Sequence, residues 1–113
     1  GCWVAGFSFG AWIAMQLLMR RPEIESFISI SPPANLYDFN FLAPCPSSGL
    51  IINGSDDIVA PKPDIQKLVD RLKSQKGIEI NHSLIDGANH FFDNEIDSLN
   101  EEISKYISKV LKK

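Results

Sequence analysis

The chain has 113 residues, 44% of them hydrophobic and 22% charged, and its formal net charge at pH 7 is -3. This composition fits one small globular domain and excludes both a disordered chain and a multidomain protein. The acidic balance and the scattered basic residues give no electrostatic site for nucleic acid, and no run of about 18 apolar residues is present to cross a membrane.

The first predicted elements are a strand, a tight turn and a helix. The short apolar stretch at residues 3–5 is interpreted as the end of a strand, and residues 6–10 as the turn. Residues 11–20 are apolar nearly all round, which predicts a central, well-buried helix that ends before Pro22.

The rest of the chain alternates between strand and helix patterns. Short β-rich runs predict strands, and apolar residues at i, i+3, i+4 and i+7 predict amphipathic helices, the last of them capped by Asp93. The strands fall at residues 27–31, 50–52 and 78–85, and the helices at residues 63–75 and 96–110. This order predicts an α/β fold of about four parallel strands with helices on both faces of the sheet.

Residues 6–10 match the motif G-x-S-x-G between a strand and a helix. A direct turn from strand into helix strains the central Ser8 and projects its side chain above the sheet. Residues with side chains at positions 6 and 10 would crowd each other, and glycine at both positions removes this clash. The helix N-terminus aims its amides at Ser8, so the Phe9 N–H can stabilise an oxyanion. The motif predicts a nucleophilic serine, the alternative being an incidental serine in a glycine-rich turn.

A nucleophilic serine needs a base and a carboxylate that orients the base. The segment after the third strand contains two adjacent carboxylates, Asp56 and Asp57, and the segment after the fourth strand contains His90. Because the carboxyl ends of parallel strands meet at one edge of a sheet, both segments should lie near Ser8. The other histidine, His82, lies inside a predicted strand and is interpreted as structural.

Three blocks resemble those of the α/β-hydrolase superfamily, near the small bacterial-type serine esterases and dienelactone-hydrolase-like enzymes. They are Val4-Ala5-Gly6-Phe7-Ser8-Phe9-Gly10, Asn53-Gly54-Ser55-Asp56-Asp57-Ile58-Val59-Ala60-Pro61 and Gly87-Ala88-Asn89-His90-Phe91-Phe92. In that family the acid stands three residues after the glycine, which implies Asp57 as the acid. Asp56 is then a solvent-facing neighbour or a cap, and Asp86 makes a turn hydrogen bond.

The resemblance implies a serine hydrolase for a small or medium carboxylic ester or thioester, with the catalytic triad Ser8, Asp57 and His90. It implies no metal and no organic cofactor. Two alternatives stay open. The same three residues also serve acyltransferases and peptidases, and an α/β-hydrolase-like domain can be a binding module without catalysis.

The resemblance covers all 113 residues but only the C-terminal half of the family's fold. The chain starts at Gly1 rather than at Met, and it offers no second oxyanion N–H, which the family takes from an earlier loop. We therefore expect the strand at residues 3–5 to lie at a sheet edge. The missing N-terminal half or another chain, including a second copy in a homo-oligomer, would cover that edge.

The connection at residues 33–48 is too short for the large cap domain that some α/β-hydrolases insert there. Its apolar side chains either line an acyl pocket or pack on the sheet edge. They are Tyr37, Phe39, Phe41 and Leu42. Cys2 and Cys45 match no metal-binding spacing, so we expect two reduced thiols in a cytoplasmic protein, the alternative being a disulfide.

Overall fold

The computed structural model describes residues 2–112. This part of the chain forms four strands and three helices. They are β1 (Cys2–Phe7), α1 (Phe9–Arg20), β2 (Ile24–Ile30), β3 (Ser48–Gly54), α2 (Lys62–Lys73), β4 (Ile80–Ile85) and α3 (Ile96–Leu111). Strand β2 is followed directly by β3, without a helix between them. Gly1, on which the expectation of an absent N-terminus partly depends, lies outside the described residues.

The four strands form one parallel sheet in the order β1-β2-β3-β4. The predicted fold class is therefore confirmed, and so is the edge position of the first strand. Since every strand runs in the same direction, the segments that follow them emerge at one end of the sheet. The register places Phe7 beside Ile30, and Ile30 beside Ile52.

Helices cover both faces of the sheet. Side chains alternate between the two faces along each strand, so each face presents apolar side chains to the helices that cover it. Phe27 and Ile51 point toward the side covered by α1 and α2, whereas Ile28, Leu50 and Ile52 point toward α3. The central strands β2 and β3 are therefore buried on both sides, which explains why their sequences are nearly continuous apolar runs.

Helix α1 is less buried than its sequence predicts. Its buried residues are Ala11, Ala14, Met15 and Leu18, and they form one side of the helix. Ile13 and Leu17, on another side, are 45% and 42% exposed. The reason is the position of α1 beside the edge strand β1, where no described element packs against its outer side.

Two local predictions are wrong at the ends of elements. Gly6 and Phe7 belong to β1 and not to a turn, so the turn narrows to Ser8. Asp93 does not cap α3. The N-cap position is Glu95, without a side-chain cap bond, and the Asp93 carboxylate instead accepts a hydrogen bond from Asn89 Nδ2 at 2.9 Å.

None of the helices within residues 2–112 has the length and apolar character required to cross a membrane.

Candidate active site

Ser8 occupies a strained turn at the carboxyl end of β1. Its φ of 56° and ψ of -121° are unusual for a residue with a side chain. Its N–H donates to the Ile30 carbonyl oxygen at 2.8 Å, which ties the turn to the neighbouring strand β2. Helix α1 begins at the next residue, Phe9. The local conformation is the one that the G-x-S-x-G motif predicts.

The two glycines of this motif are not equivalent. A Cβ atom at Gly6 would lie 2.3 Å from the Gly10 carbonyl oxygen and 2.8 Å from Ala11 Cα. A Cβ atom at Gly10 would have nothing within 4 Å. The expectation of mutual crowding is thus confirmed for Gly6 and wrong for Gly10, because only the Cβ direction of Gly6 points into the turn.

The three predicted side chains form one chain of hydrogen bonds. His90 Nε2 lies 2.8 Å from Ser8 Oγ, and His90 Nδ1 lies 2.8 Å from Asp57 Oδ2. An ionised carboxylate can only accept, so Nδ1 carries the proton in neutral His90. Nε2 then faces the serine hydroxyl as an acceptor. This is the tautomer that a base for Ser8 requires.

The Asp57 carboxylate is held at both oxygens. While Oδ2 faces His90, Oδ1 accepts the backbone N–H groups of Val59 at 2.9 Å and Ala60 at 2.8 Å. The Asp57 side chain has no exposed surface and that of His90 is 5% exposed. Burial of this kind excludes water from the pair and fixes the orientation of the imidazole.

The segments that carry Asp57 and His90 are joined by a hydrogen bond between their backbones and by a hydrogen bond from backbone to side chain. The Asp56 N–H donates to the Ala88 carbonyl oxygen at 2.9 Å, and the Gly87 N–H donates to Ser55 Oγ at 2.7 Å. A Cβ atom at Gly54 would lie only 2.1 Å from the same Ala88 oxygen. Glycine at position 54 is therefore what allows the two segments to approach this closely.

Known proteins resemble this chain over its whole length. An uncharacterised protein of Rickettsia prowazekii is 49% identical over 108 residues, which are 92% of this chain and 45% of that protein. A proposed α/β-hydrolase of unknown function from Agrobacterium tumefaciens is 62% identical, with a TM-score of 0.98 over 99% of this chain and 51% of its own. The fold is that of an α/β-hydrolase.

A second similar structure is an α/β serine hydrolase without a lid from Xanthomonas campestris. It is 26% identical, with a TM-score of 0.81 over 95% of this chain and 46% of its own. No family model matches the chain. The chain spans about half the length of the relatives that it matches.

The other acidic and basic candidates of this α/β-hydrolase fold have different partners. Asp56 is exposed, and its carboxylate lies 3.4 Å from Ser55 Oγ. Asp86 also lies 3.4 Å from Ser55 Oγ, so its contact joins two segments rather than closing a turn. His82 Nε2 lies 2.6 Å from Asn53 Oδ1, and burial, together with Lys73, lowers the pKa of His82.

Among residues 2–112, no cluster of three or more His, Cys, Asp or Glu side chains is suited to hold a metal ion.

The connection between β2 and β3 contains turns but neither helix nor strand. Phe39 and Leu42 are buried in the core beneath α1 and α2, and Phe41 packs against that core. Only Tyr37, of the four candidates for an acyl pocket, reaches the candidate site, with its ring centroid 5.3 Å from that of Phe9.

Sequence reasoning missed two aromatic residues beside the candidate base. The ring centroid of Phe7 lies 5.2 Å from that of His90, and that of Phe91 lies 5.1 Å away. Phe7 precedes Ser8 and Phe91 follows His90 in the sequence, and this adjacency is the feature from which their place in the site could have been predicted. Their exposure is a property of the folded chain that no sequence pattern indicated.

Proposed function

We propose that the protein is a serine hydrolase that cleaves a small or medium carboxylic ester or thioester through an acyl-enzyme on Ser8. The observation that supports this most is the pair of 2.8 Å contacts that connect Ser8, His90 and Asp57. The likeness to an α/β serine hydrolase from Xanthomonas campestris agrees with it. The proposal concerns the full-length protein, since the chain spans about half of its relatives.

In the first half of the reaction, Ser8 Oγ bonds to the carbonyl carbon of the substrate while its proton moves to His90 Nε2. The Asp57 carboxylate stabilises the imidazolium that forms and keeps Nδ1 as the donor. The tetrahedral intermediate then breaks its bond to the leaving oxygen or sulfur. His90 returns the proton to that atom, so an alcohol or thiol departs.

In the second half, a water molecule attacks the acyl-enzyme, and His90 takes one of its protons. The carboxylic acid departs when the bond to Ser8 Oγ breaks and His90 returns the proton to Oγ. No step requires a metal or an organic cofactor.

The oxyanion formed in both halves needs preorganised donors. We assign the first to the Phe9 N–H, because the first N–H groups of a helix have no acceptor within the helix. A second N–H would come from residues outside this chain, which would also cover the edge strand β1. Loss of one such donor costs roughly 3 kcal/mol, or a hundredfold in rate.

We also propose a cytoplasmic location. The support is that Cys2 and Cys45 are both free thiols in the fold, and that burial of Cys45 raises its pKa. A buried, protonated thiol is the usual state of a structural cysteine in a reducing compartment.

Turnover of a short p-nitrophenyl ester by the full-length protein tests the proposed function. Ser8→Ala should lower kcat/KM by about 10⁴-fold or more. Ser104→Ala, which removes an exposed hydroxyl on α3, is the matched control and should leave kcat/KM unchanged. Wild-type turnover in Ser8→Ala would mean that another group is the nucleophile. Inertness of the wild-type protein toward esters and thioesters would favour a binding module.

A further inference from the structure

Large apolar side chains are exposed next to each of the three proposed catalytic residues. Two flank Ser8, two follow Asp57 and one follows His90. They are Phe7 (39% exposed), Phe9 (50%), Ile58 (89%), Val59 (40%) and Phe91 (61%). A contiguous exposed apolar patch on a small protein usually marks a binding surface.

Two of these side chains form an aromatic wall beside the base. Phe7 and Phe91 each lie close to the His90 ring, at 5.2 and 5.1 Å between centroids, and they lie 5.9 Å from each other. The Phe7–Phe91 wall therefore borders the side of the site from which His90 acts.

A second group of aromatic side chains lies next to Ser8 and joins the start of α1 to the connection between β2 and β3. The Phe9 ring lies 5.3 Å from that of Tyr37, which stacks on Trp12 at 4.9 Å. Trp12 Nε1 donates to the Asp38 carbonyl oxygen at 3.0 Å, which anchors the stack. We call this set the Phe9–Tyr37 wall.

The polarity of the three loops limits the substrate. The segments 7–9, 56–60 and 88–92 contain no Lys or Arg, and their one exposed charge is the carboxylate of Asp56. An acyl group or alcohol that carries its own carboxylate would find no cation there and would be repelled by Asp56. The surface fits uncharged, apolar groups.

The chemistry assigns each wall to one half of the substrate. His90 must protonate the leaving oxygen or sulfur, so the leaving group has to lie on the His90 side, against the Phe7–Phe91 wall. The acyl chain is bonded to Ser8 in the acyl-enzyme, so it is left to the Phe9–Tyr37 wall, which begins at the next residue.

We infer that the substrate is an uncharged ester or thioester with an apolar acyl chain on the Phe9–Tyr37 wall and an apolar leaving group on the Phe7–Phe91 wall. This inference rests on the proposed function of Ser8. Full burial of one methylene is worth about fourfold in affinity. A wall that covers one side should give about half of that free energy, or roughly twofold per methylene.

Two ester series on the full-length protein separate the walls. One compares p-nitrophenyl acetate with p-nitrophenyl hexanoate, and the other compares methyl acetate with hexyl acetate. At roughly twofold per methylene, we expect kcat/KM to rise roughly 16-fold over the four methylenes added in the acyl series and roughly 30-fold over the five added in the alcohol series. Tyr37→Ala should flatten only the acyl series, and Phe91→Ala only the alcohol series. Leu111→Ala, which truncates a 74% exposed apolar side chain on α3, should change neither ratio.

The outcomes also distinguish the inference from the proposed function. Ser8-dependent turnover without a chain-length preference, or with preferences that both wall variants leave intact, would overturn the inference alone. Absence of any Ser8-dependent turnover in the wild-type protein would overturn both the inference and the proposed function. If Tyr37→Ala fails to fold, Phe91→Ala still decides the assignment, because that side chain is 61% exposed and its removal leaves the core untouched.

Discussion

Alanine at Gly6 and alanine at Gly10 should have opposite effects, although both positions belong to the G-x-S-x-G motif. At Gly6 the new methyl group would lie 2.3 Å from the Gly10 carbonyl oxygen and 2.8 Å from Ala11 Cα. Both are backbone atoms, so no side-chain rotation relieves the overlap. The turn around Ser8 has to open.

The magnitude follows from the overlap. A methyl group needs about 3.4 Å from a carbonyl oxygen, so roughly 1 Å must be gained by moving backbone, and overpacking of this kind costs about 1–3 kcal/mol. A displacement of about 1 Å at the nucleophile can cost roughly a hundredfold in rate. Gly10→Ala meets no atom within 4 Å and removes a glycine from α1, so it should stabilise by about 0.5–1 kcal/mol.

Chemical denaturation of the two variants, followed by ester turnover of each, measures both effects in the full-length protein. Gly10→Ala is the matched control, since it adds the same methyl group to the same turn. Equal losses of stability and activity in the two variants would refute the reasoning. It would then be the flexibility of the turn, and not the space at Gly6, that matters.

Three further substitutions test the segments that carry the acid and the base and the effect of His82 on stability. Gly54→Ala places a methyl group 2.1 Å from the Ala88 carbonyl oxygen, so it should push the two segments apart and lower kcat/KM about a hundredfold; retention of wild-type kcat/KM would contradict this. Asp57→Asn removes the carboxylate that orients His90 and should lower kcat by about 10⁴-fold in the same assay, whereas a loss under tenfold would disprove the assignment. Burial, together with Lys73, lowers the pKa of His82 in the folded state, so the unfolded chain takes up more protons than the folded one as pH falls through about 6.5. Lowering the pH from 7.5 to 5.5 should therefore reduce the free energy of unfolding more in the wild type than in His82→Gln. Chemical denaturation at the two pH values measures this, and equal losses would exclude this source of pH dependence.

The order of elements was predictable because the pattern of each strand and helix is local. β2 and β3 are buried on both faces and read as apolar runs, and α2 shows its buried side at helical spacing. The burial of α1 was not predictable in the same way. Its sequence is apolar on most sides and does not indicate the uncovered outer side, which α1 has because it lies beside the edge strand β1.

The candidate site was predictable for a similar reason. In a parallel sheet, segments that follow successive strands converge at one end, so sequence positions after strands placed His90 and the Asp56–Asp57 pair near Ser8. The resemblance to the α/β-hydrolases then selected Asp57. The aromatic walls depend on contacts between distant segments. Phe7 and Phe91 come from distant segments and lie against the same histidine and against each other, and neither has a periodic pattern that would indicate this.

The central claim is that Ser8 is the nucleophile, activated by His90. Its most direct test is the site of covalent modification by a small fluorophosphonate, in which the Ser8 Oγ–P bond forms as fluoride leaves. Peptide mass spectrometry of the labelled full-length protein should find the phosphonyl group on Ser8, and His90→Ala should lose the label while His82→Ala keeps it. A label on another residue, or undiminished labelling of His90→Ala, would contradict the account.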